Sequence, residues 1–355
     1  MATQRKSTRG RAGLLLILLV LFVLPGASLY YNYSGGKSCT RCHEIWQPYR
    51  DWHESAHRNI ACSECHGDVF TLDAGFHLKN LRRLGAHLSG KVPEQVQLKT
   101  DDVLKIEKRC AKCHREEYAD WSSSRHSATY SEILLDKDHN QRTLLMEDCL
   151  RCHGMHFQGS IRSLVSPVDT HGPWRLLDPQ LANQPAMPCL TCHQMHRHGN
   201  PQKRPGAERD PTHEEIFRPS LALFDRREQD YIPVGRLPMP QMYDGTRLVK
   251  ISPDPRQALC YQCHAPTAAA QVGSGDDRTP VGVHEGLSCL ACHEKHAQTT
   301  RASCANCHPQ LSNCGLDVEK MDTTFKSTKS PHNIHTVKCI DCHTEGVPKK
   351  KDRPA

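Results

Sequence analysis

The sequence predicts a fold that is mostly α with extensive irregular structure, organised by covalently attached groups, behind a single N-terminal membrane helix. Three observations predict it. Nine Cys-x-x-Cys-His motifs punctuate 355 residues. Only 37% of residues are apolar and 6% aromatic, too little for a conventional core in a chain of this length. No long amphipathic helix or alternating strand pattern lies between the motifs, which leaves short helices beside them and Pro/Gly-rich loops.

The motifs pair Cys39 with Cys42, Cys62 with Cys65, Cys110 with Cys113, Cys149 with Cys152 and Cys189 with Cys192. They continue with Cys260 and Cys263, Cys289 and Cys292, Cys304 and Cys307, and Cys339 and Cys342. The histidines that follow are His43, His66, His114, His153, His193, His264, His293, His308 and His343. This is the attachment signature of c-type haem, in which two thiols form thioethers with the porphyrin and the next histidine becomes an axial iron ligand. Zinc or dithiol chemistry also uses paired cysteines. Histidine is 24 of 355 residues, so a chance histidine after any one pair has a frequency of roughly 7 per cent, and nine in nine exclude chance. The expected cofactor is therefore nine covalently bound haems c, with the porphyrins forming the core of a multihaem cytochrome c fold. Eighteen of the 19 cysteines belong to the motifs, which leaves Cys314 and rules out a disulfide scaffold.

The formal charge of +7 would suit a nucleic-acid partner. Haem propionates and ferric irons bring the expected total to about −2 oxidised and about −11 reduced, which excludes that class.

At the N-terminus, Arg5, Lys6, Arg9 and Arg11 precede the uninterrupted apolar run from Leu14 to Leu24, and no acidic residue occurs before Glu44. The basic flank is expected to stay cytoplasmic and the remainder to be exported, since c-haem assembly follows export. Gly26-Ala27-Ser28 could serve as a cleavage site, whereas Ala12 to Tyr31 is long enough to span. Retention as an anchor is the expectation, which places a single-pass protein in the cytoplasmic membrane with its haem domain in the periplasm.

The chain divides into residues 1–31 (basic flank and anchor), 32–193 (five motifs), 194–259 (no motif), 260–345 (four motifs) and 346–355 (basic tail). The early part of 194–259 is rich in proline and charge, and its second half is apolar enough to fold.

Two repeats bear on the second axial ligand. Asp-Trp-x-x-Ser-x-His occurs as Asp51, Trp52, Ser55, His57 and again as Asp120, Trp121, Ser124, His126, which marks a duplicated unit with His57 and His126 as distal ligands. A second histidine follows the motif histidine by three residues at His153/His156, His193/His196 and His293/His296. Residues so spaced share a helix face and cannot sandwich one iron, so His156, His196 and His296 are expected to serve neighbouring haems, or else to hydrogen-bond propionates. His284 stands five residues before Cys289, as His57 does before Cys62, and His332 stands with His335 shortly before Cys339. His284 and His332 complete the candidate set. Fifteen histidines lie outside the motifs, enough for bis-histidine ligation throughout.

The stretch CTRCHEIWQPYRDWHESAHRNIACSECHGD, with the preceding apolar segment, resembles the start of membrane-anchored quinol dehydrogenases of the NapC/NirT type. The likeness runs from Ala12 to Phe70. It implies electron uptake from quinol, or from a membrane oxidoreductase, and delivery to a periplasmic or outer-membrane redox protein. One departure is Ile45, where the family's nitrite-reductase partners carry a ligating methionine. The remainder is similar to multihaem cytochromes at the level of fold only. It lacks a lysine in place of a motif histidine and lacks expanded motif spacing, two catalytic hallmarks of that group. Tyr231 and Tyr243 are the candidates there for a tyrosine crosslink.

The expected function is a membrane-anchored relay between the quinone pool and a periplasmic or extracellular acceptor in anaerobic-type respiration. The alternatives are a reductase of a small nitrogen or sulfur oxyanion at one open haem, with Asp276-Asp277-Arg278 delivering protons or binding the anion, and an electron-storage filament.

Overall fold

The computed structural model describes residues 11–15, 17–67, 74–91, 98–197, 202–203, 216–264, 280–297, 304, 307–308 and 334–346. Cys314, His332 and the Asp276-Asp277-Arg278 cluster lie outside them, as do most of the early insertion and nearly all of the basic tail. The architecture is mostly helical and irregular. Its strands form only two-stranded antiparallel hairpins among the described residues.

Two compact units emerge, one comprising Met1–Leu98, Lys108–Cys110 and His196–Asn200, the other Lys99–Glu107, Ala111–Met195 and Pro201–Ala355.

The first unit opens on helical residues 11–15 and 17–18, a π-helical stretch Leu19–Val23 and α1, Leu24–Tyr33. Leu14, Leu15, Ile17, Leu21 and Phe22 are all exposed. No helix among the described residues is long and apolar enough to cross a membrane. The end of α1 is fixed to the second motif: the buried Tyr31 hydroxyl donates to the Gly67 carbonyl at 3.0 Å. Gly36 adopts φ +86°, and a Cβ there would lie 2.8 Å from the Cys62 Cβ, so only glycine allows this turn to pass the second motif. α2 (Trp46–His53), α3 (Cys62–His66) and α4 (Ala74–Leu88) complete the unit's main elements.

The second unit begins with α5, Thr100–Cys110, most of which lies in this unit, and α6, Arg115–Ser123. Then come three short helices: α7 (Tyr130–Leu134), α8 (Lys137–Asn140) and α9 (Ile161–Leu164). Each starts where a side chain supplies the missing acceptor: Thr129 with Glu132 as a full capping box, Asp136 and Ser160. Hairpins β1–β2 (Val165–Ser166 with Arg175–Leu176), β3–β4 (Gln202–Lys203 with Ile216–Phe217), β5–β6 (Ala222–Asp225 with Asp230–Pro233) and β7–β8 (Tyr243–Asp244 with Arg247–Leu248) follow. Two motif helices, α10 (Gln257–His264) and α11 (Cys339–Cys342), end the series.

This unit holds peptide cores of its own, beyond what the composition predicts. One gathers Tyr130, Leu134, Leu145, Leu150, Ile161, Leu164, Val165, Leu181 and Ala186 around the fourth motif. The other packs Met155 and Ala258 against Leu223, Phe224, Val234 and Leu237, so the later part of the motif-free insertion is folded structure.

Candidate haem centres: histidine pairs at the motifs

Five attachment motifs close on themselves in a tight turn. The histidine amide donates to the first cysteine's carbonyl at 2.9 Å in His153, His293 and His343, 3.1 Å in His193 and 2.7 Å in His308. That i to i+4 bond brings both sulfurs and the imidazole to one edge of a helical turn, as one porphyrin with its iron requires.

Six motif histidines face a histidine from elsewhere in the sequence. In the first unit, His43 faces His87 with ring centroids 5.6 Å apart, and His66 faces His196 at 5.8 Å. In the second, His264 faces His126 at 6.1 Å, His193 faces His296 at 6.2 Å, His308 faces His284 at 6.4 Å and His293 faces His335 at 6.0 Å. Ring contacts also occur at such separations, and the His293 and His335 rings lie nearly parallel, 22° apart. A metal held between two imidazoles, about 2 Å from each nitrogen and with each ring centre about 1 Å further, separates the centroids by about 6 Å. The residues therefore fit a bis-histidine haem at six of the motifs.

Of the histidines singled out in the sequence, His126, His196, His284 and His296 meet a motif histidine. His87, outside the candidate set, and His335, noted only beside His332, do so as well. His87 lies 44 residues beyond His43, with no repeat to mark it. His335 stands where His332 was the candidate. In both i, i+3 pairs of this set the two rings serve different partners: His193 faces His296 while His196 faces His66, and His293 faces His335 while His296 faces His193.

Two contacts orient the distal rings. The His284 Nδ1–H donates to the Ile334 carbonyl at 3.1 Å, which turns Nε2 toward His308. His87 Nδ1 lies 2.6 Å from Glu44 Oε1, and that carboxylate is also 3.3 Å from His43 Nε2. These three residues are a cluster able to hold a metal ion. Hydrogen bonding to its own backbone, then to His87, keeps the Glu44 carboxyl below its ordinary range.

His156 shows the same chemistry within the fourth-motif region. Its ring stacks on Phe224 at 4.2 Å, and burial pushes it down to about 4 against a backbone hydrogen bond at Leu190. Its Nε2 is buried with no hydrogen-bond partner, an orphan nitrogen suited to a metal. Burial likewise pushes His193 and His196 down to about 4, so both rings are neutral acceptors at neutral pH.

The duplicated Asp-Trp-x-x-Ser-x-His unit is duplicated in three dimensions. Ser55 Oγ donates to the Trp52 carbonyl and accepts the His57 amide, at 2.8 and 3.1 Å. Ser124 Oγ does the same with Trp121 and His126, at 2.8 and 3.2 Å. The serine ends the helix and throws the histidine off it. Tyr49 and Tyr118 pack on the two tryptophans with centroids 5.4 and 5.5 Å apart, a partner the repeat did not include.

Attachment points of different motifs meet within the second unit. The Cys152 thiol hydrogen-bonds Cys263, and Cys260 hydrogen-bonds Cys289. Cys292 lies near Cys304 and Cys307, and burial pushes its thiol up to about 11. Of the tyrosines considered for a crosslink, Tyr231 donates to the Leu190 carbonyl at 2.8 Å and packs edge-on to Phe224, while Tyr243 is exposed on β7.

Residues 109–169 match the family model described as cytochrome c554 and c-prime, a span that takes in the third and fourth motifs, His126 and His156. No curated protein and no solved structure matches the chain. That match, over 61 of the 355 residues, and the nine motifs support a c-type cytochrome, an electron-transfer haem protein.

Proposed function

We propose that the chain is a membrane-anchored periplasmic cytochrome with nine haems c, relaying electrons from the quinone pool or a membrane donor to a periplasmic or extracellular acceptor. The observation that carries this reading is the set of six histidine pairs with centroids 5.6–6.4 Å apart. Two imidazoles on one iron leave no position open to substrate, which suits electron exchange and disfavours catalysis at those centres. When bound, each haem supplies a one-electron ferric/ferrous couple. The chain's residues fix the ring orientations, exclude water around His156, His193 and His196, and set the attachment points of motifs four, six, seven and eight side by side. The basic flank and the exposed apolar residues from Leu14 to Phe22 support the anchor and the outward location of the haem domain.

The test is low-temperature EPR of the fully oxidised protein, integrated against haem content. Nine low-spin ferric haems are expected. A high-spin signal worth about one haem and perturbed by nitrite or hydroxylamine would replace the relay with a reductase.

A further inference from the structure

We infer that α4 is an interfacial helix that lies on an anionic phospholipid surface. Its sequence, AGFHLKNLRRLGAHL, contains no acidic residue. At 100° per residue, Leu78, Leu81, Leu84 and Leu88 fall in one arc of about 120° that also takes in Ala74, His77 and Gly85, and Lys79, Arg82, Arg83 and His87 fall outside it. His87 is half-buried and bonded to Glu44 beside the first motif, whereas the four leucines are 48%, 65%, 54% and 77% exposed. Four large apolar side chains in one stripe on a positively charged helix, with Arg82 and Arg83 also exposed, match the boundary between lipid headgroups and acyl chains. The same unit carries the apolar N-terminal segment, so both features belong to one body. The inference takes its setting from the membrane reading of that segment.

The test uses haem-loaded protein in which residues 1–23 are replaced by a cleavable signal, so the apolar N-terminal run cannot contribute while α1 and the Tyr31–Gly67 bond are kept. It is sedimented with vesicles of phosphatidylcholine plus phosphatidylglycerol, and with phosphatidylcholine alone. Binding to the anionic vesicles is expected. Leu81→Asn, Leu84→Asn and Leu88→Asn together are expected to weaken it at least about tenfold, with Soret absorbance per protein unchanged. Arg82→Gln and Arg83→Gln, surface changes that leave the leucines in place, are expected to weaken anionic binding roughly fivefold each and leave phosphatidylcholine binding unaltered. The inference is overturned if the truncated protein ignores both vesicles, if the leucine variant binds normally, or if that variant loses haem absorbance, which would place the leucines against a porphyrin. Resistance of the full-length chain to alkaline carbonate extraction reports on the N-terminal span alone, so each result stands without the other.

Discussion

Asp254 is a buried carboxylate whose bonds join two motif-bearing segments of the second unit. It is 2% exposed, and its neighbour Arg256 4%. Arg256 donates from Nε and Nη2 at 2.9 and 2.7 Å, and the Ser288 hydroxyl adds a third bond at 2.9 Å. That places the start of α10, which carries the sixth motif, against the start of the seventh. Burial alone would raise this carboxyl, but bonds from Arg256 and Ser288 outweigh it and hold the group below its ordinary range. A depressed folded value means that stability is present above the unfolded value of about 3.9 and is lost as pH falls through the folded one. Asp254→Ala leaves Arg256 buried without its partner and should cost about 3–5 kcal/mol in denaturant unfolding monitored by tryptophan fluorescence. The variant should also lose the wild-type protein's fall in stability below about pH 4. Retention of that acid-side fall would show that other carboxylates produce it. At the same scale, His126→Met should leave one haem low-spin and raise its midpoint potential on the order of 100 mV, read by potentiometric titration. An unshifted titration would mean that His126 is not on an iron.

Elements show where the sequence was readable and where it was not. The motif turns were readable because five consecutive residues specify both chemistry and geometry. The Asp-Trp-x-x-Ser-x-His unit was readable because it occurs twice, and the structure adds only that Tyr49 and Tyr118 complete it. His87 was not readable: its partner is 44 residues away, and what selects it is the Glu44 carboxylate, visible only once α4 is folded against the first motif. The peptide clusters around Leu150 and Phe224 were hidden because a chain-wide apolar fraction averages over local density. Tyr130, Leu134, Ile161 and Leu164 are spread over 35 residues and gather only when three capped helices and a hairpin fold together. The turn from α1 into the first motif offers a test at this scale. Gly36→Val would force a side chain against Cys62 Cβ from a left-handed backbone. Incorporation of the second haem should fall, measured as haem per protein by pyridine haemochrome, while Gly235→Val, where φ is not left-handed and a Cβ meets nothing within 4 Å, should leave it near wild type.

For the whole molecule the question is whether the centres form one path. A distal histidine supplied beside one motif to the iron of another would tie two attachment points together more tightly than chain connectivity does. His296, beside the seventh motif, faces the fifth, and His126, from the segment after the third, faces the sixth. The sixth motif also meets the fourth through Cys263 and the seventh through Cys260. It therefore has more neighbours among the described attachment points than a terminal centre needs, and short gaps are what electron hopping without protein motion requires. Replacing Cys260 and Cys263 together by alanine should remove one haem by mass and slow end-to-end transfer at least about tenfold, followed by stopped-flow reduction from one terminal donor. The loss should exceed that in a Cys339→Ala, Cys342→Ala variant if the ninth centre stands at an end of the path. A sixth-motif variant that has lost one haem yet transfers at the wild-type rate would put that centre on a side branch. The fourth and seventh motifs would then have to communicate by a route that bypasses it.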